Sequence, residues 1–281
     1  MKIFTNAHFL LTLTSLFWAF NTIAGRAAVG EVSPLLVVSI RWFFVSILLT
    51  FLCRKELFET WKVLKYRLKW LVIMGLFGFT SFNSFYYIAA HDTIAINLGL
   101  VQGTMPAFII IISRMWLKEK INIPQLLGVI ITFVAVLLVV SSGNLYALMK
   151  LQLNKGDIVM IFACTLYAVY AVGLRKKPNI GALVLLTFFS YVAFIGSLPG
   201  LFYETFTSNL VLPGIKGIII LSIIIIFPSF LAQIFFMKGV EKIGPARSGL
   251  YTNLVPVFAS ILAVLLLGEL FKLRVGLENL T

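Results

Sequence analysis

Charge is what this chain of 281 residues has least of: only 12% of it is Asp, Glu, Lys or Arg. Soluble domains carry about 25%, so there is too little polar side chain here to coat a water-facing surface. His8 and His91 are the only histidines, too few for a His-based metal site. The two cysteines, Cys53 and Cys164, lie on separate segments and offer neither a disulfide nor a zinc spacing. No Gly-x-x-x-x-Gly-Lys loop occurs, so ATP is not the direct energy source. There is no His-Glu-x-x-His, no Gly-x-Ser-x-Gly and no cluster of carboxylates. Of the ten acids, Glu31, Asp92, Glu119 and Glu269 fall at the ends of apolar runs, so a buried proton relay is not evident. These absences argue against an enzyme, and they imply no cofactor and no metal.

What the chain has instead is apolar length. It is 60% hydrophobic, with a mean hydropathy of +1.04, and the apolar residues come in runs and not in periodic stripes. A bilayer core needs about 20 such residues per helix. The runs that meet this need lie near His8–Ala28, Pro34–Phe51, Trp70–Ala90, Ile94–Trp116, Ile123–Ser141, Asp157–Leu174, Ala182–Phe202, Ile215–Met237 and Ala246–Leu267. Runs this long and continuous must be helices, because hydrocarbon cannot satisfy exposed backbone groups and barrel strands are far shorter. The expectation is an all-α polytopic membrane protein of about nine spans. Its first run is too long for a signal peptide and lacks a small-residue cleavage site, so it is read as a retained helix.

The net charge of +13 resembles a nucleic-acid signal but is topology, because the basic residues sit between apolar runs. With the N-terminus in the cytoplasm, sixteen of the 23 Lys and Arg fall on the inner side and six on the outer, and Arg41 lies inside the second run. The positive-inside rule selects this orientation in an inner (plasma) membrane, with the lipid bilayer as partner and no nucleic acid. Within Arg54–Lys69, Leu57, Phe58, Trp61, Leu64 and Leu68 recur at three- and four-residue spacing among basic residues. That pattern suits a helix lying flat in the inner headgroup layer, or a solvated basic loop.

The two halves repeat. At an offset of 150, Gly99 meets Gly249, Pro106 meets Pro256, Phe108 meets Phe258, Glu119 meets Glu269 and Asn83 meets Gln233. At 149, Trp18 meets Tyr167, Ala19 meets Ala168 and Arg26 meets Arg175. The division is residues 1–142, a linking stretch 143–156, and residues 157–281. Each repeat unit should hold five spans, an odd number that inverts the second copy. Inverted repeats of this sort bind solute near the midplane between halves.

Trp18-Ala19, Arg41-Trp42, Pro106 with Glu119, Pro256 with Glu269, and Gly156-Asp157 together resemble the EamA family of the drug/metabolite transporter superfamily, over about His8 to Phe271. The resemblance implies ten helices, both termini cytoplasmic, and a central cavity lined by both halves. It implies transport of a small-molecule substrate, amino acids or related amphipathic solutes among the candidates. A homodimer is left open. The chain departs from the family at its end. A tenth span should begin near Leu273, yet Lys272–Thr281 is too short to cross and is broken by Arg274, Glu278 and Asn279. The second repeat is therefore expected to hold four spans, with Thr281 on the outer side, and a scaffold or inactive transporter is the competing reading.

Polar groups inside spans are costly and so are candidates for function. Asn83 and Gln102 form one amide pair; Gln233 and Asn253 form another on the far side of the midplane, though the strict counterpart of Gln102 is Thr252. They either line a solute path or tie helices together. Pro106 and Pro256 should each kink a span near mid-membrane. Arg41 either holds an anionic group of the substrate or bonds structurally to neighbours; with no acid near it in sequence, the structural role is favoured. Trp18, Asn21, Trp42, Tyr86, Tyr87, Tyr167, Tyr170 and Tyr251 can line a cavity or sit in the interfacial belts, and Trp18 and Tyr167 are preferred as lining. Gly99-x-x-x-Gly103 reads as close helix packing.

Overall fold

The computed structural model describes residues 6–118, 154–207, 210–243 and 250–268, with a few single residues at 123, 126–128, 130–131 and 248. The described residues are helical and contain no strand. Seven helical stretches are long and apolar enough to cross a membrane, and Tyr251–Leu267 is a shorter apolar helix. Most of the expected fifth span, the termini and the tail Lys272–Thr281 lie outside the described residues, as do Glu119 and Glu269.

Helix α1 (Ala7–Ala27) starts on Asn6, whose side chain accepts from the His8 amide at 2.9 Å. Helix α2 (Pro34–Tyr66) begins with proline, whose missing N–H would have had no intrahelical partner there. Two of the remaining first-turn donors, Leu35 and Leu36, give their amides to the buried Glu204 carboxylate at 3.0 and 3.3 Å. The cap of α2 thus comes from the other half of the chain. α2 runs 33 residues without a break, about 50 Å at 1.5 Å per residue. The expected flat helix over Arg54–Lys69 is instead largely its continuation. Leu64 is buried, Leu57 packs on the core and Trp61 stacks on Phe188 at 5.9 Å. Those contacts hold part of the stripe to protein, whereas Phe58, 86% exposed, faces away and Leu68 is exposed as well.

The third span comprises α3 (Leu68–Gly75), a π-helical segment Leu76–Ser81 and α4 (Phe82–Asp92). The fourth is split into α5 (Ala95–Gln102) and α6 (Met105–Leu117). In the second half come α7 (Lys155–Gly173), α8 (Ala182–Phe206), and α9 (Ile215–Ile224), a second π-helical segment Ile225–Leu231 and α10 (Ala232–Ile243). Then a 3-10 turn, Leu250–Asn253, leads into α11 (Leu254–Leu267).

The irregularities recur at the offset found in the sequence. The π-helical segments correspond, and both fourth-position helices stop on a left-handed residue, Lys118 at φ 57° and Gly268 at φ 65°. Packing is exchanged between halves in the same way. α1 packs on α10 and α11, α7 packs on α4 and α6, and α2 lies along α8.

Pro106 and Pro256 do not kink a helix at mid-length. Pro106 stands in the first turn of α6 and Pro256 is the third residue of α11. A first-turn amide has no intrahelical acceptor, so each proline starts a new segment, and the break falls just before it. Gly99 and Gly103 face Pro256 and Ala259. A Cβ on Gly99 would come within 2.8 Å of the Ala259 Cβ, and one on Gly103 within 3.1 Å of Pro256 Cγ. That is the close packing read from the sequence.

Candidate functional site

The breaks and π-helical segments converge on one interior cavity of about 70 Å³. Its walls come from both halves and pair across the repeat: Trp18 with Tyr167, Gly78 with Pro228, Asn83 with Gln233, Gln102 with Thr252, and Met105 with Val255. Asn21, Arg41, Trp42, Phe79 and Phe82 complete the lining. Of the residues singled out by sequence, Trp18, Asn21, Arg41, Asn83, Gln102, Tyr167 and Gln233 are therefore together. Pro106, Pro256 and Asn253 are not. Asn253 is exposed at the start of α11, and its neighbour Thr252 lines the cavity instead. One residue of a 3-10 turn rotates the chain by about 120°, which carries the strict repeat counterpart inward and the amide outward.

The π-helical turns have local causes. Pro228 supplies no backbone N–H inside the second one. In the first, Gly78 lies against a ring: an added Cβ would come within 2.3 Å of Tyr170 Cγ. Such turns leave carbonyls without the usual partner, and buried side chains of the same spans take them up. Asn83 Nδ2 donates to Phe79 O at 2.6 Å, and Ser229 Oγ donates to Ile224 O at 2.5 Å.

Arg41 is the centre of the polar network, and it is 3% exposed. Its Nε donates to Ser229 Oγ at 2.9 Å, and its Nη1 donates to Asn83 Oδ1 at 2.9 Å and Tyr87 OH at 2.8 Å. A longer contact of 3.4 Å reaches Asn21 Oδ1, which also accepts from Tyr87 OH at 2.7 Å. The guanidinium carbon stands 5.0 Å from the centre of the Trp42 ring and 5.6 Å from that of Tyr87. Every one of these partners is neutral. Burying a charge with neutral partners only is tolerable because the hydrogen bonds and aromatic faces replace part of the lost hydration.

Two buried polar atoms in the lining have no hydrogen-bond partner among the described residues: Trp42 Nε1 and Gln102 Oε1. Sequence reasoning named the arginine, the amides and the paired aromatics. It missed Ser229, Thr252 and the pair Gly78–Pro228. The last was visible at the offset, but a glycine opposite a proline does not register as a match.

Further ties join the halves outside the cavity lining. The Asp157 carboxylate accepts from Thr93 Oγ1 at 2.6 Å and from Asn97 Nδ2 at 3.3 Å. Ser15 Oγ donates to Tyr251 O at 2.6 Å, and the His8 ring pairs with the Tyr251 hydroxyl.

The two halves that wall this cavity also correspond to two copies of one family pattern. Residues 5–141 and 154–277 each match the EamA-like transporter family. The chain belongs to that family. Its relatives include the uncharacterized transporter YyaM of Bacillus subtilis (strain 168), 27% identical over 266 residues, 92% of this chain and 85% of that one. An uncharacterized transporter of Archaeoglobus fulgidus is 24% identical over 277 residues, 94% of this chain and 91% of its own. A solved crystal structure, 21% identical, is similar with a TM-score of 0.61 over 92% of this chain and 87% of that chain. At that identity the likeness shows the fold alone. Family membership makes the protein a multi-pass membrane transporter.

Proposed function

We propose that the chain is a secondary transporter that moves small metabolites, amino acids or related amphipathic solutes among them, across the inner membrane. Transport proceeds by alternating access between two inverted halves, near residues 8–141 and 157–271, with the N-terminus cytoplasmic. The observation that carries this reading is the pairing of cavity walls: five pairs of lining residues stand at the repeat offsets. A helix-tying role for the amides does not require Asn83, Gln233 and Gln102 to share one cavity with Trp18 and Tyr167.

The size of the cavity supports a cycle of shapes. Ligand sites occupy about 300–1,000 Å³, whereas this one measures about 70 Å³. A solute is therefore accommodated only when the halves move apart on one side or the other. The interruptions at Gly103–Thr104 and Leu250–Asn253 give each half a place to bend without breaking hydrocarbon-facing hydrogen bonds, since they lie against the other half.

Counterflow in proteoliposomes tests the reading. Purified protein should exchange a radiolabelled amino-acid and organic-acid mixture, and Gln102→Leu or Gln233→Leu should cut exchange while leaving membrane insertion intact. Exchange no faster than in protein-free vesicles, across the whole mixture, sinks the transporter reading in favour of a scaffold.

A further inference from the structure

The cavity wall holds a charge and two buried, unpaired hydrogen-bonding atoms, and together they specify a ligand. Arg41 is the one charged residue among the described lining residues, and no carboxylate bonds to it. Its hydrogen bonds run through Nε and Nη1; Nη2 makes none among the described residues. Trp42 is 1% exposed, and its Nε1 is a buried donor without an acceptor. It belongs to the ring whose centre lies 5.0 Å from the guanidinium carbon. Gln102 Oε1 is a buried acceptor without a donor. Buried polar groups in folded proteins are almost always paired, so two orphans in the wall of one cavity, beside an uncompensated cation, mark positions that a ligand fills.

We infer that the transported solute is a small monocarboxylate that also carries a hydroxyl or N–H group. Its carboxylate accepts from Arg41 and Trp42 Nε1, and its own donor reaches Gln102 Oε1. This rests on the transporter reading and names the substrate class of the same cavity. The charge count selects a monoanion. A phosphate dianion would bring a second negative charge into a site with one cation, and burying an unpaired charge is costly. A neutral solute would leave Arg41 as it stands. A cation would meet it at close range in a medium where like charges repel strongly. The orphan acceptor adds the second requirement, because a carboxylate without a donor would leave Gln102 Oε1 unpaired.

The inference also sets an asymmetry. Ten of the lining residues pair across the repeat, but Arg41 does not: the positions 149 and 150 beyond it are Ser190 and Tyr191, and neither lines the cavity. The Ser190 hydroxyl is buried and donates to Thr187 O at 2.7 Å. The anion is therefore held by the first half alone, and the second half contributes Ser229 behind the guanidinium. On this arrangement the carboxylate stays with one half while the other half moves across it.

Three matched probes separate the requirements: lactate, propionate, which lacks the hydroxyl, and lactamide, which lacks the charge. Binding is read on purified full-length protein by the ligand-dependent rise in unfolding temperature, and transport by counterflow in vesicles. Lactate should bind at least about tenfold tighter than lactamide, a difference of about 1.4 kcal/mol, and measurably tighter than propionate. Trp42→Phe should weaken lactate while sparing lactamide. Gln102→Leu should abolish the advantage of lactate over propionate, and Arg41→Gln that of lactate over lactamide. Should Arg41→Gln fail to fold, the Trp42 and Gln102 variants decide the matter alone. Lactamide protecting as well as lactate, no binding of either carboxylate, or Trp42→Phe leaving lactate affinity unchanged would each overturn the inference. Binding of lactate without flux would instead defeat the transporter reading and leave the anion site standing. Flux of neutral solutes with no carboxylate preference would do the reverse.

Discussion

Replacing Gly78 by alanine should destabilise the protein through a single contact. The new Cβ would lie 2.3 Å from Tyr170 Cγ and 2.6 Å from both Cδ atoms, whereas carbon atoms rest about 3.5–4.0 Å apart. Clearance therefore requires a shift of more than about 1 Å. The ring cannot supply it by swinging, because it is held at its root and packed edge-on against Phe79, Tyr167 and Phe189, with centroids at 5.4, 5.4 and 5.6 Å. Forcing a methyl into a packed core costs about 1–3 kcal/mol, and the better helix propensity of alanine returns up to about 1 kcal/mol. The net loss is about 1–2 kcal/mol, at about 2–4 °C per kcal/mol for a chain of this order. The assay is the half-unfolding temperature of detergent-purified protein, measured as a double-mutant cycle with Tyr170→Ala. With the ring gone, Gly78→Ala should cost nothing or stabilise slightly. An equal penalty in both backgrounds would show that the loss comes from the π-helical backbone and not from the ring, and would refute the reasoning.

Glu204→Ala removes the acceptor for two first-turn amides of α2 and should lower stability by about 2 kcal/mol, near the upper range for lost caps. Glu204→Gln keeps one acceptor oxygen and should cost less; equal unfolding temperatures for Glu204→Ala and wild type would show that the cap contributes nothing. Fusions report orientation. Green fluorescent protein joined after Lys177 should fluoresce in the cytoplasm, and alkaline phosphatase joined after Leu212 should be active outside it, with reversed signals inverting the topology.

The membrane class was legible because hydropathy acts over a whole span, and errors at single residues average out. The candidate site was legible to the extent that the offset was followed strictly. Asn83 with Gln233 and Trp18 with Tyr167 both face the cavity, and Gln102 found its partner in Thr252 and not in the chemically closer Asn253. Chemistry misled there because a helix position fixes direction before side-chain type matters. The prolines misled because a missing N–H is compatible with either a kink or a helix start, and only the neighbours Gly103 and Leu250–Asn253 decide which. Ser229 gave no signal, since a serine in an apolar run bonds as readily to its own helix as to a distant arginine. The extent of α2 was obscured by its basic residues, which halt an apolar run without halting a helix: lysine, arginine and glutamate are strong helix formers.

That uninterrupted α2 has a mechanical consequence. From Leu52 to Tyr66 it extends about 22 Å beyond the apolar stretch as one rod. A rod transmits rotation: a tilt of about 10° at the membrane boundary displaces its tip by about 4 Å at that length. Because Trp61 rests on Phe188, the tip is braced against α8 of the opposite half, and any change in the angle between the two helices must register there. The exposed ring of Phe58 is thus a pointer partway along a lever, where a spectroscopic label can be read without touching the cavity.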